Sequence, residues 1–254
     1  MKDGIKMDIY NNFAKVYDTF MSDVPYDKWA LFLDEVWKKY ELNPKNICDL
    51  GCGTGTLTSI LAKKYNLIGV DLSPEMLMIA RDKSSEKNLD ILYIEQDMTE
   101  FHLGFNVDSI YCLCDSLNYL LEEAEVLDTF IQCNKHLAKN GLLIFDLNTE
   151  YKFKNMYGSN VFADNSEYGS YIWKNEYLED EQINIYDVCF FIQKGQNNYE
   201  KFDEYHEERA YSLSKIKELL EKANLEFLEA VNIDFTEVSK TSERMYIIAR
   251  ERGK

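Results

Sequence analysis

The chain has 254 residues, of which 45 are acidic and 28 basic, so its formal net charge is −17. This length can bury a large core without disulfides or a structural metal, and a hydrophobic content of 46% excludes a disordered chain. The acidic excess argues against nucleic acids and anionic membrane surfaces as partners, because both would repel the protein at long range.

The N-terminal stretch carries no predicted targeting signal. Residues 1–17 mix polar and charged side chains and lack the apolar core of a signal peptide. No later window approaches the roughly 18 apolar residues that span a bilayer. The six cysteines lack the spacing of a zinc knuckle, so we predict reduced thiols and no metal site. We therefore expect a cytoplasmic protein with no membrane partner.

A regular alternation of helices and strands follows. From Asp27 to Tyr40, apolar side chains recur at helical spacing and predict an amphipathic helix. Up to Asn148, short apolar runs alternate with helical stretches, which is typical of βαβ units and of a mainly parallel sheet with helices on both faces. The predicted strands are 46–50, 67–71, 91–95, 107–113 and 142–147, and the helices between them are 56–65, one that Ser73 caps and Pro74 begins, and 122–139.

The alternation stops after Asn148. Residues 151–211 show no helical period and carry aromatic and β-branched runs divided by polar turns, which predicts a small antiparallel sheet inserted into the α/β fold. These residues hold 9 of the 18 tyrosines, and residues 164–208 carry 12 acidic side chains against three lysines. Regular structure returns with a helix that Ser212 caps, followed by strands near 225–233 and 245–250.

The first strand ends in a glycine-rich turn, Asp49-Leu-Gly51-Cys-Gly53-Thr-Gly55. Glycines let a ligand approach the backbone closely, and the next helix offers free N–H groups at its N-terminus. Asp71 ends the second strand, where an acid can bind both ribose hydroxyls of an adenosine, and Asp97 follows the third, where it could bind the adenine amine. Each feature alone could be a tight turn, a helix cap or a solvated acid, but together they predict an adenosine site at one crevice.

Two classes of adenosine ligand fit such a crevice. Dinucleotide-binding turns read G-x-G-x-x-G and hold a pyrophosphate, which would make the protein a nicotinamide-dependent oxidoreductase. Here the spacing is G-x-G-x-G, and Asp49 precedes it. A carboxylate in that place would repel a pyrophosphate but could hold an ammonium group, so the residues favour a ligand that carries one.

The turn resembles the first motif of the class I S-adenosylmethionine-dependent methyltransferases, D/E-x-G-x-G-x-G. The stretch from Val70 to Leu77 resembles the second motif, and Gln96-Asp97-Met98 the third. Membership would imply a Rossmann-like doubly wound sheet of seven strands, mostly parallel with an antiparallel last strand. It would also imply S-adenosyl-L-methionine as cofactor, S-adenosyl-L-homocysteine as product, and direct in-line transfer to an N or O atom of a small molecule. The cofactor-binding residues would then be Tyr17, Asp49, Gly51, Cys52, Gly53, Gly55, Asp71, Leu72, Met76, Asp97, Met98, Leu113 and Cys114.

The resemblance also implies a division of the chain. Residues 1–150 and 212–254 would form the cofactor domain, with 1–44 as a helical cover, and 151–211 would form an inserted β-rich lid over the substrate. The segments from Tyr10 to Asp18 and from Tyr205 to Tyr211 resemble parts of a small-molecule subgroup. The substrate-side residues would be Tyr10, Trp29, His206, Arg209 and Tyr211. Helix packing of the aromatic residues, ion pairing of Arg209 and solvation of His206 are the alternatives.

The sequence says less about the acceptor. The stretch Asp115-Ser-Leu-Asn118 lacks the proline pair typical of enzymes that methylate nucleobase amines, which again argues against nucleic acids. Asp115, Asp146 and Asn148 weakly resemble the acid cluster of metal-dependent catechol-type enzymes, but a metal site needs more converging ligands. The acidic, tyrosine-rich insert favours a cationic or amine acceptor. No residue is predicted to be catalytic, and a non-catalytic module that binds S-adenosylmethionine is the alternative to an enzyme.

Overall fold

The computed structural model describes residues 24–166, 169–193 and 198–254. The predicted site residues Tyr10 and Tyr17 lie outside the described residues. The described elements are, in chain order, α1 (Tyr26–Lys39), β1 (Asn46–Leu50), α2 (Thr56–Leu61), β2 (Asn66–Asp71), α3 (Pro74–Glu86), β3 (Leu92–Glu95), β4 (Val107–Cys112), a 3₁₀ turn (Ser116–Tyr119), α4 (Glu123–His136), β5 (Leu137–Asn148), a π-helix (Lys152–Tyr157), β6 (Val161–Ser166), β7 (Gly169–Leu178), β8 (Ile183–Gln193), β9 (Tyr199–Arg209), α5 (Leu213–Lys222), β10 (Leu225–Val231) and β11 (Arg244–Glu251).

The larger sheet has the topology that the sequence predicts. Among the described residues it contains seven strands in the order β10-β11-β5-β4-β1-β2-β3. The pairs from β5 to β3 are parallel, whereas β11, the last strand, runs antiparallel to both β5 and β10. The strand order reverses beside β1, so the carboxyl ends of β1, β2 and β4 meet at the switch point where open α/β sheets bind their ligands.

Helices cover both faces of this sheet. The first face packs against α4 and α5 through residues such as Phe130 and Leu220, and the second packs against α1 and α2 through residues such as Trp37 and Leu61. The caps follow the sequence signals: Ser73 Oγ accepts a hydrogen bond from the Met76 backbone N–H at 3.2 Å and so fixes the start of α3 next to the end of β2. This doubly covered packing confirms the predicted Rossmann-like fold.

Two predicted helices end earlier than expected. Helix α2 ends at Leu61 rather than at Tyr65, because Asn66 already pairs with Asn46 of β1 and the chain must turn before it. Helix α4 ends at His136, because Leu137 enters the sheet opposite Val107 and is fully buried there. Tertiary pairing therefore overrides local helix propensity at both ends.

The smaller sheet is antiparallel, in the order β6-β7-β8-β9, and the unpredicted π-helix leads into it. One face of this sheet, which we call the inner face, carries Tyr186 of β8 and Glu204, His206 and Glu208 of β9. The inner face points toward the larger sheet, because the His206 ring packs edge-on against Tyr119 with centroids 5.8 Å apart. Within the described residues, no helix is both long and apolar enough to cross a membrane.

Candidate functional site

The glycine turn after β1 is closely packed on one side. Gly51 has φ +76°, and both its N–H and that of Cys52 donate to the Val70 carbonyl oxygen, at 2.8 and 3.0 Å. A Cβ at Gly51 would come within 2.8 Å of Ser116 Oγ, and Met98 Cε would lie 3.6 Å from it. Only glycine fits this position, and the turn therefore brings the ends of β1, β2 and β4 together.

The turn is open on the other side, at Gly53. This residue also has a positive φ, +53°, yet a Cβ placed on it would meet no described atom within 4 Å. Its N–H donates to Asp71 Oδ2 at 2.7 Å, and Asp71 Oδ1 accepts from the Ser73 N–H at 2.9 Å. Asp71 is thus held at the end of β2 beside open backbone. The pKa of Asp71 is raised, because the effect of burial is larger than the opposing effect of the N–H donors.

Asp49 lies beneath the same turn and is almost fully buried. Its Oδ2 atom accepts hydrogen bonds from Thr58 Oγ1 at 2.5 Å and from the Tyr111 hydroxyl at 2.8 Å. Burial raises the pKa of Asp49 to about 7, although both donors oppose the shift. The hydrogen-bond partners are neutral groups, so the carboxylate has charge left to offer a cationic ligand.

The other residues around the turn take different positions. Gly55 has φ +68°, and a Cβ there would clash with Tyr93 of β3, so it lets α2 start close to the sheet. Cys52 is half-buried at the turn, and its Sγ approaches Gly69 of β2. Met76 is buried in α3, whereas Leu72 is 63% exposed at the end of β2.

The loops after β3 and β4 complete this edge. Asp97 Oδ1 accepts two hydrogen bonds from Thr99, from its N–H and its hydroxyl, both at 2.8 Å, which fixes the loop after β3. After β4, Leu113 is buried, and Cys114 and Asp115 both have positive φ, +68° and +54°. Consecutive left-handed residues without glycine are uncommon and mark a tightly constrained loop.

A second polar group lies where the two sheets meet, centred on the Asn148 side chain. Its Nδ2 donates to Asp115 Oδ2 at 2.8 Å and to Glu208 Oε2 at 3.1 Å, while its Oδ1 accepts from Lys152 Nζ at 2.9 Å. The Asn148 backbone N–H donates to Asn118 Oδ1 at 2.9 Å. One amide therefore joins the end of β5, the loop after β4 and the inner face of the smaller sheet.

Arg244, the first residue of β11, pairs with two carboxylates of this group. Its guanidinium donates to Asp146 and, at 3.0 Å, to Asp115 Oδ1. Asp146 Oδ1 in turn accepts from the Asp115 backbone N–H at 3.0 Å, so both acids and the arginine form a closed ring. The Asn148 cluster, as we call it, consists of Asp115, Asp146, Asn148, Lys152, Glu208 and Arg244.

Burial perturbs the ionisable members of the Asn148 cluster. Burial, reinforced by the nearby charge of Asp115, raises the pKa of Glu208 well above its ordinary value. Burial would also raise the pKa of Asp115, but the charges of Arg244 and Lys152 overcome it and lower that pKa. Burial, and then the like charge of Arg244, lowers the pKa of Lys152. Strongly perturbed pKa values cluster at functional sites, and they also occur in structural ion-pair networks.

The predicted substrate-side residues do not all face one space. Trp29 is buried in α1 and donates its Nε1–H to the Tyr246 hydroxyl at 2.8 Å. Arg209 donates to the Leu121 carbonyl at 2.7 Å, and the Tyr211 hydroxyl donates to the carbonyl of Leu120. These contacts anchor the end of β9 to the loop that precedes α4.

His206 is the predicted substrate-side residue of β9 that lies on the inner face. Its Nε2 is 3.0 Å from Glu204 Oε2. The structure also identifies two site residues that the sequence analysis does not predict. Glu208 lies two positions after His206, on the same face of β9, and Arg244 belongs to β11, the last strand. A stretch with acids at 203, 204, 207 and 208 gives no sign of which ones point inward until the strand register is known.

The two aspartates of the Asn148 cluster are held by an arginine of the chain. Asp115 and Asp146 both pair with Arg244, so one cation of the chain is shared between two carboxyl groups. Among residues 24–166, 169–193 and 198–254, no three His, Cys, Asp or Glu side chains are grouped so that they could hold a metal ion.

Comparisons with known proteins agree with this geometry. A family model described as a methyltransferase domain matches residues 47–141. A putative methyltransferase of Geobacillus sp. (strain WCH70) is 38% identical over 246 residues, which are 95% of this chain and 99% of the relative. The putative methyltransferase YqeM of Bacillus subtilis (strain 168) is 39% identical over 249 residues, or 96% and 97% of the two chains.

Solved structures give the same picture. A crystal structure of an S-adenosylmethionine-dependent methyltransferase from Clostridium acetobutylicum ATCC 824 matches with a TM-score of 0.88 and 34% identity, and the match covers 96% of this chain and 99% of the other. CalS10 from Micromonospora echinaspora, an amino pentose methyltransferase with bound S-adenosylmethionine, has a TM-score of 0.75, 18% identity and coverage of 93% and 96%. At that identity the second match shows the shared fold alone.

Proposed function

The chain belongs to the class I S-adenosylmethionine-dependent methyltransferases, and we propose that its acceptor is a small molecule methylated at an N or O atom. S-Adenosylmethionine, when bound, supplies a sulfonium-activated methyl group. An acceptor nitrogen or oxygen that received this methyl group would displace S-adenosylhomocysteine and would release its proton to water or to a nearby base. The protein contributes orientation and the exclusion of water.

The residues at the carboxyl edge of β1, β2 and β3 fit this cofactor. The open backbone at Gly53 leaves room for its methionine part, and Asp71 stands where it can accept both ribose hydroxyls. Asp49 offers a buried carboxylate to the α-ammonium group, directly or through water. We assign Leu72 and Met76 to the flanks of the adenine, Asp97 and Met98 to its edge, and Leu113 and Cys114 to the border of the sulfonium. Gly51, Cys52 and Gly55 would shape the turn beneath it.

The acceptor would bind where the inner face of the smaller sheet meets the larger one. Asp115 directly follows Cys114, the residue assigned to the sulfonium, and Asn148 joins Asp115 to Glu208 of the smaller sheet. The smaller sheet, in residues 151–211, would therefore act as the lid over a bound acceptor. CalS10, which has the same fold, is an amino pentose methyltransferase, and this supports a small-molecule acceptor for the present chain.

Membership of the family also decides between the enzyme classes that the sequence leaves open. The family match and the relatives are methyltransferases, which argues against the two alternative functions, a nicotinamide-dependent oxidoreductase and a non-catalytic module.

The net charge of −17 and the missing proline pair after β4 support a small-molecule acceptor over a nucleic acid. A cytoplasmic location also forms part of the proposal, because the spacing of the six cysteines predicts reduced thiols.

The observation that carries the proposal is the placement of Asp71 beside the open backbone of Gly53. We expect Asp71→Asn to weaken S-adenosylhomocysteine binding about 10- to 100-fold in calorimetric titration, because a hydrogen bond to a charged group is lost in a buried place. Asp82→Asn, which removes an exposed charge from α3, is the matched control and keeps the wild-type affinity. Unchanged affinity in Asp71→Asn, with the urea unfolding midpoint also unchanged, would refute this cofactor site.

A further inference from the structure

Glu208 is the inner-face acid that reaches the larger sheet. It is only 2% exposed, and its Oε2 accepts the 3.1 Å hydrogen bond from Asn148. Through that amide it stands next to Asp115, which follows the loop residue assigned to the sulfonium. An acceptor group bound at Glu208 would therefore lie on the path from the smaller sheet to the methyl donor.

The charges around Glu208 do not balance. Three carboxyl groups of the Asn148 cluster, Asp115, Asp146 and Glu208, share two cations, Lys152 and Arg244. Arg244 is engaged with both aspartates, and Lys152 donates its bond to the Asn148 amide oxygen rather than to Glu208. A buried carboxyl without its own cation must either hold a proton or receive a positive ligand.

Aromatic rings line the inner face beside this carboxyl. Burial raises the pKa of the Tyr186 phenol well above its ordinary value. The charges of Glu208 and Asp115, which lie close by, raise this pKa further. The Tyr186 ring centroid is 5.3 Å from that of Trp173, and Tyr157 is 4.8 Å from Trp173 on another side. Aromatic faces attract organic cations, and they do so more strongly where water is excluded.

Three buried polar atoms on the inner face have no hydrogen-bond partner in the described structure: Glu204 Oε1, Trp173 Nε1 and the Tyr177 hydroxyl oxygen. Glu204 is 2% exposed; its Oε2 pairs with His206, but its Oε1 has no hydrogen-bond partner in the described structure. Trp173 Nε1 is likewise buried without one. Trp173 of β7 and Glu204 of β9 both pair with Val188 of β8, so an unpaired donor and an unpaired acceptor lie in one row across the inner face. Unpaired buried polar atoms are costly and point to a polar ligand that would pair with them.

We propose that the methyl acceptor is an amine and that Glu208 is the residue that selects it. The ammonium N–H groups would donate to Glu208, which would take the proton that the nitrogen must lose before its lone pair can accept the methyl group. The rings of Tyr157, Trp173 and Tyr186 would contact one side of the adjoining carbon skeleton, and Glu204 would accept from a further polar group. This inference rests on the proposed function, because it names the acceptor class of that same site. An alcohol of the same skeleton would lack the charge that Glu208 requires.

The test uses the full chain saturated with S-adenosylhomocysteine at pH 7. Benzylamine and benzyl alcohol, which differ only in the polar group, are titrated separately by calorimetry. We expect the wild type to bind the amine at least about tenfold more tightly than the alcohol, since a charge-assisted hydrogen bond is formed with only one of them. We expect Glu208→Gln to lose this preference.

Two further variants separate the role of Glu208 from a loss of overall charge or of folding. Glu207→Gln removes the same charge from the opposite face of β9 and should keep the preference, and Glu208→Asp, which retains a carboxylate, should keep part of it. Equal affinity for the two probes in the wild type, or an unchanged preference in Glu208→Gln, overturns the inference. Failure of the wild type to bind S-adenosylhomocysteine at all would instead refute the proposed function.

Discussion

Single carboxyl groups at the edge of the larger sheet are oriented by hydrogen bonds from the chain itself. Asp71 accepts two backbone N–H groups, and Asp49 accepts two hydroxyl groups, so each carboxyl is oriented in advance. Preorganised acceptors lose little freedom when a ligand binds. Their environments nevertheless differ, because Asp71 is half-buried at the end of β2 and Asp49 is almost fully buried beneath the turn.

The buried state of Asp49 predicts a pH dependence of cofactor binding. Its pKa is raised to about 7, mainly by burial, and only its ionised form would pair with the ligand's α-ammonium group. Below pH 7 the proton must first be removed, so S-adenosylhomocysteine affinity should fall about fivefold between pH 7 and pH 6, where the ligand's ammonium stays protonated. Calorimetry at both pH values tests this expectation.

A variant isolates the contribution of Asp49 to that dependence. Asp49→Asn cannot ionise, so it should bind more weakly than the wild type at pH 7, and its own affinity should change little between pH 7 and pH 6. Asp82→Asn should retain the wild-type pH dependence. The same fall in affinity for wild type and Asp49→Asn would show that another group titrates.

At the scale of secondary-structure elements, β11 holds the site together from the far end of the chain. Its first residue, Arg244, joins the end of β5 and the loop after β4 through Asp146 and Asp115. The hydrogen bond to Asp115 spans 129 positions in sequence. The Asn148 cluster can therefore form only when the strand order β4-β5-β11 is complete.

Replacing Arg244 should destabilise the whole sheet edge. Arg244→Met leaves the buried Asp146 and the partly buried Asp115 without their cation, and the loss of one partner of a buried group of this kind typically costs about 3–5 kcal/mol in free energy of unfolding. Arg250→Met removes an arginine from the same strand whose guanidinium lies 5.5 Å from the Tyr40 ring, and it should cost less than about 1 kcal/mol. Urea unfolding at pH 7 measures both; similar small losses would show that Arg244 carries no such role.

The elements themselves were largely predictable, because buried parallel strands are continuous apolar runs and the glycine turn has a fixed spacing. The positions of Asp49, Gly51 and Asp71 were predictable for the same reason, since each lies within two residues of the carboxyl end of β1 or β2. Arg244 was not, because its partners are distant in sequence. Glu208 was not either, because Glu207 and Glu208 are chemically identical neighbours and only the pairing of β9 with β8 decides which one points inward.

At the scale of the whole molecule, the charge of −17 is concentrated in the inserted segment, where 12 acids face three lysines over residues 164–208. Part of this charge is turned inward: Glu204 and Glu208 are each 2% exposed on the inner face. The acidic composition thus has two consequences. The outer surface disfavours polyanions, and the buried acids provide the pairing that a cationic small molecule would need.

The most direct test of methyl transfer to a small molecule uses S-adenosylmethionine with an isotopically labelled methyl group. The full chain is incubated with the labelled cofactor and a total extract that contains metabolites, RNA and protein, and Asp71→Asn serves as the control. We predict that label enters the low-molecular-mass fraction, resists nuclease and protease, and falls sharply with Asp71→Asn. Label recovered in RNA or protein, or no transfer above the reaction without enzyme, would contradict the account.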